Sequence, residues 1–227
     1  MNKTGVLKGQ RSDRHPVILI HGINDTNSVF ERMSASLIDR GWSVHSLDLI
    51  PNNGFAGIER LAKQLEKYIS EVFLPGQPLD LIGFSMGGIV TRYYLQRLEG
   101  VKRIKRYISI SAPNNGTLTG YALPFPGIMQ MRPESNFLTD LNSDVAEKLS
   151  QINCTWIWTP YDLMILPPNS SQMPIGKQIQ VPVLMHSWML KDPQVIATVT
   201  AALKEPTDKK LPRSIQVRSP KAIVQEN

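Results

Sequence analysis

Apolar positions change period along the chain in a regular alternation. Pro16-Val17-Ile18-Leu19-Ile20 is a continuous apolar, β-branched run, the pattern of a strand covered on both faces. Val29, Phe30, Met33, Leu37 and Ile38 then fall on one helical face, which Gly41 ends. Residues 42–49 predict a second strand. Ile58, Leu61, Leu65, Tyr68, Val72 and Phe73 repeat at helical spacing until Pro75-Gly76 stops them. Residues 79–84 form a third apolar run, followed by a helix to about Glu99 and a fourth strand over 106–111. A short helix over 144–152, a strand over 154–158 and a last strand over 178–185 follow, with Pro182 pointing to an edge position or a bulge. Asp192-Pro193 combines a favoured N-cap with a proline at the first helical position. It opens a final helix whose buried stripe is Val195, Ile196, Val199, Ala202 and Leu203.

Strands alternating with helices predict an α/β fold, a doubly wound and mostly parallel sheet covered on both faces. Ligands of such sheets bind at the carboxyl ends of the strands. Residues 113–141 break the alternation. They show no period, hold Pro124, Pro126 and Pro133 among many apolar residues, and are expected to fold over something as a small cap. The expected organisation is a polar lead-in over 1–14, one domain over 15–204 with a cap-like insert over 113–141, and a basic, disordered tail over 205–227.

Composition narrows this little further. A chain of 227 residues can bury one sizeable core and is short for two, and 41% hydrophobic with 19% charged residues describes a soluble globular protein. No apolar run approaches a membrane span, and the lead-in lacks the apolar core of a secretion signal, so the expected compartment is the cytoplasm. Cys154, the single cysteine, allows no internal disulfide and is expected to be a buried strand residue. Net charge is +6, and residues 204–227 carry six Lys/Arg against three Asp/Glu. A second cluster comprises Arg97, Lys102, Arg103, Lys105 and Arg106. Cations near a helix C-terminus plus a solvated tail account for both. Peripheral contact of these basic residues with an anionic membrane is the sharper, less favoured reading. No recognition motif or interleaved aromatics point to nucleic acid.

The candidate chemistry centres on Gly83-Phe84-Ser85-Met86-Gly87-Gly88. A Gly-x-Ser-x-Gly between an apolar strand and an amphipathic helix would force a sharp turn. Such a turn would hold Ser85 in a strained conformation with its hydroxyl out at the carboxyl edge of the sheet. A serine needs a base, and the base needs a group to orient it. Of the four histidines, His15 precedes the first strand at the wrong edge and His45 lies inside a strand. His21 leads a glycine turn with another use. His186 follows the last strand at the right edge and is the candidate base. Asp162, after the strand ending at Trp158 and among apolar neighbours, is the candidate orienter. Asp140 and Asp144 belong to the cap and short helix, Asp80 to the opposite edge, and Asp192 to a helix cap. Oxyanion donors are expected from the backbone N–H groups of Met86 and, in the loop after the first strand, Ile23.

These residues resemble the α/β-hydrolase fold, and within it the small lipase/esterase (class 2, LipA-like) group. The resemblance covers roughly residues 15–204. It rests on His21-Gly22-Ile23-Asn24-Asp25, the Ser85 motif, Ser111-Ala112-Pro113-Asn114-Asn115-Gly116-Thr117, Tyr161-Asp162 and His186. It implies a minimal α/β-hydrolase that cleaves carboxylic esters of acyl groups or lipids through an acyl-enzyme on Ser85. His186 would act as base and then acid, Asp162 as its orienter, and Ile23 and Met86 as oxyanion donors, with no cofactor or metal. An acyltransferase or thioesterase could use the same residues, and a catalytically silent binding module is the alternative from another class. The expected partner is a small acyl ester or lipid; the oligomeric state is left open.

Overall fold

The computed structural model describes residues 14–207. Six strands form one sheet: β1 (Val17–Ile20), β2 (Val44–Leu47), β3 (Leu79–Phe84), β4 (Ile104–Ile110), β5 (Asn153–Trp158) and β6 (Lys177–Gln180). Their order is β2-β1-β3-β4-β5-β6. Every neighbouring pair is parallel, so the sheet is wholly rather than mostly parallel among the described residues. The chain begins at β1, steps out to β2, and returns to β3 on the other side of β1. The strand order therefore reverses between β1 and β3, where a crevice opens at the carboxyl edge of a doubly wound sheet.

Among the described residues, seven α-helices connect or flank the strands: α1 (Glu31–Asp39), α2 (Ile58–Val72), α3 (Met86–Arg97), α4 (Pro126–Gln130), α5 (Asn136–Ser143), α6 (Val145–Leu149) and α7 (Pro193–Ala202). The period-2 geometry of strands sends alternate side chains to opposite faces. Ile18 and Ile20 of β1, with Leu79 and Leu81 of β3, pack on α2 and α3. Val17 and Leu19, with Ile82 and Phe84, pack on α1 and α7. Removing a Leu or Ile side chain from water stabilises the fold by about 1.5–3 kcal/mol. Both faces of the central strands are buried, which is why those strands read as nearly unbroken apolar runs. Cys154 lies on β5 and is buried, as its run suggested.

Strand ends differ from the sequence expectation for local reasons. β6 is an edge strand that stops at Gln180: Val181 N–H still reaches Trp158 O at 2.9 Å, the Pro182 nitrogen faces the open edge, and residues 181–185 are irregular, with a Val183 N–H to Val181 O bond. The capping expectation at Asp192 is met: its carboxylate accepts from Gln194 N–H at 2.8 Å and Val195 N–H at 3.2 Å. At the amino edge, Asp80 is fully buried and pairs with Arg106 at 2.9 Å and His15 at 3.3 Å, far from the candidate site.

The aperiodic stretch 113–141 holds a 3-10 turn (Leu118–Tyr121), α4 and most of α5. It is tied to the loops after β2 and β5 by Gly127 N–H to Gly54 O and by Leu118 N–H to Leu166 O, both 2.9 Å. Glu205 and Pro206, the start of the expected tail, accept bonds from Arg106 and Asn153. The rest of the tail and nearly all of the lead-in lie outside the described residues. No helix among the described residues is long and apolar enough to cross a membrane.

Candidate active site

Ser85 stands between β3 and α3 with φ 53° and ψ −127°, a strained backbone for any residue with a Cβ. The turn is held by Ser85 N–H to Ile110 O at 2.9 Å and by Gly88 N–H to Ser85 O at 2.9 Å. Two glycines make it possible. A Cβ on Gly83 would sit 2.5 Å from Thr91 Oγ1, and one on Gly87 would be driven into the carbonyl oxygens of Ile20 and His21. Such close passage of α3 across the end of β1 leaves Ser85 at the crevice between β1 and β3. Ser85 is 8% exposed, and its hydroxyl takes part in no hydrogen bond among the described residues.

Asp162 and His186 come from the loops after β5 and β6. His186 Nδ1–H donates to Asp162 Oδ2 at 2.7 Å. The other oxygen, Oδ1, accepts from Met164 N–H at 2.9 Å and Ile165 N–H at 3.0 Å. The carboxyl group is almost fully buried. Burial alone would push its pKa up; the bond and charge of His186 and the two backbone amides outweigh that and hold it below the ordinary carboxylate value. The His186 ring lies 4.8 Å from the Phe84 ring, one residue from Ser85. With Nδ1 tied to Asp162, Nε2 is the nitrogen left for other work.

The loop after β1 closes the other side. Met86 is the first residue of α3, so its N–H has no intrahelical acceptor. Ile23 N–H is in no backbone hydrogen bond among the described residues. His21 explains how this loop keeps its shape. Its ring is fully buried, and Nε2 accepts Leu49 N–H at 3.0 Å, which leaves Nδ1–H to donate to Gly22 O at 2.8 Å. Both ring nitrogens are engaged, so His21 is a brace rather than a base. His45 bonds Ser43 and packs edge-on against Phe73, consistent with a structural role.

Two residues carry roles that the sequence pattern did not suggest. Asp25 is half-buried, and one carboxylate oxygen lies 3.0 Å from where a Gly22 Cβ would be, a point also 3.0 Å from Ser85 Cβ. Burial raises its pKa above the ordinary value, partly offset by His21, His186 and the Gly22 amide. Arg92, one turn into α3, is completely buried without a carboxylate in contact. It donates to Asn114 O (3.2 Å), Leu141 O (3.1 Å), Asn142 Oδ1 (2.7 Å) and Gln96 Oε1 (3.3 Å). Burial pushes its guanidinium down to about 10, so it remains charged at neutral pH. It clamps both ends of the 113–141 stretch to the helix that follows Ser85. The only signal was its place on a helix buried nearly all round, where a cation must find carbonyl partners. No cluster of side chains among the described residues has the makings of a metal site.

A family model described as palmitoyl protein thioesterase matches residues 16–132, more than half of the chain and the part that contains the His21 loop and Ser85. The chain belongs to the palmitoyl protein thioesterase family. Solved structures agree on the fold. The mature form of the Bacillus licheniformis lipase BlEst2 is 14% identical, with 88% of this chain and 96% of that one covered and a TM-score of 0.70. Aspergillus fumigatus lipase B is 17% identical with a TM-score of 0.69, covering 85% of this chain and 53% of its own. A thioesterase domain of the curacin biosynthetic pathway is 15% identical with a TM-score of 0.60, covering 84% and 91%. The fold is that of α/β-hydrolases.

Proposed function

We propose that this protein is a serine hydrolase that cleaves carboxylic esters of acyl groups through an acyl-enzyme on Ser85. The observation that carries this is the Asp162–His186 pair, 2.7 Å apart, at the same sheet edge as the strained Ser85 turn. In the proposed cycle, Ser85 Oγ attacks the acyl carbonyl carbon while His186 Nε2 takes its proton. Asp162 holds Nδ1–H and stabilises the imidazolium that forms. The carbonyl oxygen becomes an oxyanion, which the N–H groups of Ile23 and Met86 stabilise. As the tetrahedral carbon collapses, His186 returns the proton to the departing alcohol. Water, deprotonated by His186, then releases the acid and restores Ser85.

Family membership favours a second reading in which the leaving group is a thiol. A thiol of pKa about 8.5 leaves as a thiolate with little help from an acid. Acylation by a thioester should therefore lean less on the proton that His186 returns.

Labelling with a fluorophosphonate tests the common core. Wild type should label and Ser85→Ala should not; equal labelling of both, or none of either, would remove Ser85 from the proposal. A matched pair of oxygen ester and thioester with one acyl chain then separates the two readings by kcat/KM.

A further inference from the structure

The carboxyl edge has a composition unlike the rest of the molecule. Four stretches cross it after β2, β4, β5 and β6: residues 49–57, 111–131, 159–176 and 181–190. Together they contain one Asp, Glu, Lys or Arg, namely Asp162, and that carboxylate is buried against His186. Elsewhere the chain is richly charged. The loop after β1 adds half-buried Asp25 beside Ser85, and the charges that flank this loop and these stretches in sequence include Glu31, Arg32, Asp48, Glu134 and Lys191, which are exposed, and half-buried Arg132.

The same edge collects the exposed apolar side chains. Among the described residues, twelve of the fifteen exposed large hydrophobics lie on these four stretches; Ile38, Val72 and Leu74 are the exceptions. Ile50 is 70% exposed, Leu163 77% and Leu184 62%. Tyr121, Tyr161 and Trp188 stand among them at half exposure. An apolar surface on this scale marks an interaction site rather than scattered exposure.

The stretches are bound to one another, which makes the edge a preformed platform. Gly127 N–H reaches Gly54 O, the Phe55 and Phe125 rings meet at 4.0 Å, Thr117 and Thr119 both donate to Met164 O, and Thr159 donates to Val183 O.

We propose that this edge docks on a lipid layer of no net charge, with the mouth of the Ser85 site facing the lipid. Charge selects the occupant. An anionic membrane is recognised by clusters of lysines and arginines at the contact; the four stretches hold none, and the one guanidinium against them, Arg132, is engaged over the Tyr121 ring at 4.9 Å and with Gly120 O and Leu123 O. A protein partner would meet a polar rim with direct hydrogen bonds, whereas a neutral lipid surface asks only for apolar area. Tyr and Trp are the side chains that settle at the boundary between acyl chains and headgroups, and Tyr121, Tyr161 and Trp188 supply them. The docking proposal takes only the position of the mouth from the proposed function; it stands or falls apart from whether Ser85 turns over.

Trp188 is a built-in reporter. Of the four tryptophans, Trp42, Trp156 and Trp158 are buried and Trp188 alone is 51% exposed. The test mixes the full chain with zwitterionic phosphatidylcholine vesicles, with and without brominated acyl chains. Emission is expected to shift to the blue and to be quenched by the brominated lipid, and Trp188→Phe should remove the quenching. Partition should change by no more than about twofold between low and high salt, since screening has no attraction to weaken. The pair Ile50→Glu with Leu184→Glu should weaken partition by about a hundredfold, as burial of each side chain contributes about tenfold or more. Leu74→Glu, at the amino edge, should leave it unchanged. Ser85→Ala should bind as wild type does, and the Ile50/Leu184 pair should keep its activity on a short soluble ester. Binding only to anionic vesicles, abolished by salt, would overturn the proposal in favour of the basic residues. Unquenched Trp188, with a dimer that Leu184→Glu dissociates, would overturn it in favour of self-association. Unquenched Trp188 in a monomer would overturn it outright.

Discussion

Asp162→Asn is the sharpest perturbation of the site because the structure dictates how the amide must sit. Asp162 accepts two backbone N–H groups on Oδ1 and the His186 N–H on Oδ2. An asparagine has one acceptor oxygen. Turning that oxygen to His186 would set its NH2 against two N–H donors, so the oxygen goes to Met164 and Ile165. The NH2 then faces His186 Nδ1 and forces it to accept, which moves the imidazole proton to Nε2. A histidine in that tautomer cannot take the Ser85 proton. Loss of the orienter in this way lowers kcat by about ten-thousand-fold, or about 5 kcal/mol of transition-state stabilisation. The fold suffers far less. All three contacts keep a hydrogen bond, but the one to His186 is reversed and no longer charge-assisted, so the cost is at most about 1.5–3 kcal/mol. Stopped-flow hydrolysis of a p-nitrophenyl ester gives kcat, and urea unfolding gives stability. The two changes should separate, with KM moving only a few-fold. A folded Asp162→Asn variant that keeps more than a tenth of wild-type kcat would refute the assignment of Asp162.

The same variant has a pH signature. The folded-state pKa of Asp162 lies below its ordinary value, so its stabilising contribution is complete above about 3.8 and is lost as the pH falls through the lower folded value. The stability gap between wild type and Asp162→Asn should therefore close below pH 3.8, as urea midpoints across that range would show. Gly87→Ala should destabilise by about 3 kcal/mol or more, because its Cβ meets two carbonyl oxygens that cannot move without displacing β1; thermal unfolding measures this. Arg92→Met should cost about 1–3 kcal/mol, since Asn142 Oδ1 and Gln96 Oε1 lose their donor while Asn114 O and Leu141 O keep the amides of Asn142 and Gln96, read by urea unfolding. His21→Phe should lower kcat by about 10–100-fold with His186 untouched, because the loop carrying Ile23 loses both of its imidazole ties; burst kinetics should show slowed acylation.

Much of this was legible in the residues. An unbroken apolar run marked β1, and runs interrupted only by Asp80 and by Thr155 marked β3 and β5, because both faces of these strands are covered, and the turn at Ser85 announced itself through glycines whose side chains would collide. Edge position alone separated His186 from His15, and Asp162 from Asp80. Strand ends were less legible, since they depend on which N–H finds a partner; Pro182 pointed to an edge position or a bulge, and β6 is an edge strand, yet it ended before reaching Pro182. Arg92 was invisible in its role, because most of its partners are backbone carbonyls and side chains distant in sequence, and a carbonyl acceptor leaves no mark on residue type. The 113–141 stretch was read as a cap from apolar content, but its ties to the loops after β2 and β5 run through backbone amides that any sequence would carry.

Covalent trapping tests the central claim most directly. Wild type is mixed with a long-chain p-nitrophenyl ester, quenched in acid within the burst, digested and weighed by mass spectrometry. The account predicts one acyl adduct, on the peptide containing Ser85, absent from Ser85→Ala. An adduct on another residue, or turnover that persists in Ser85→Ala, would contradict it.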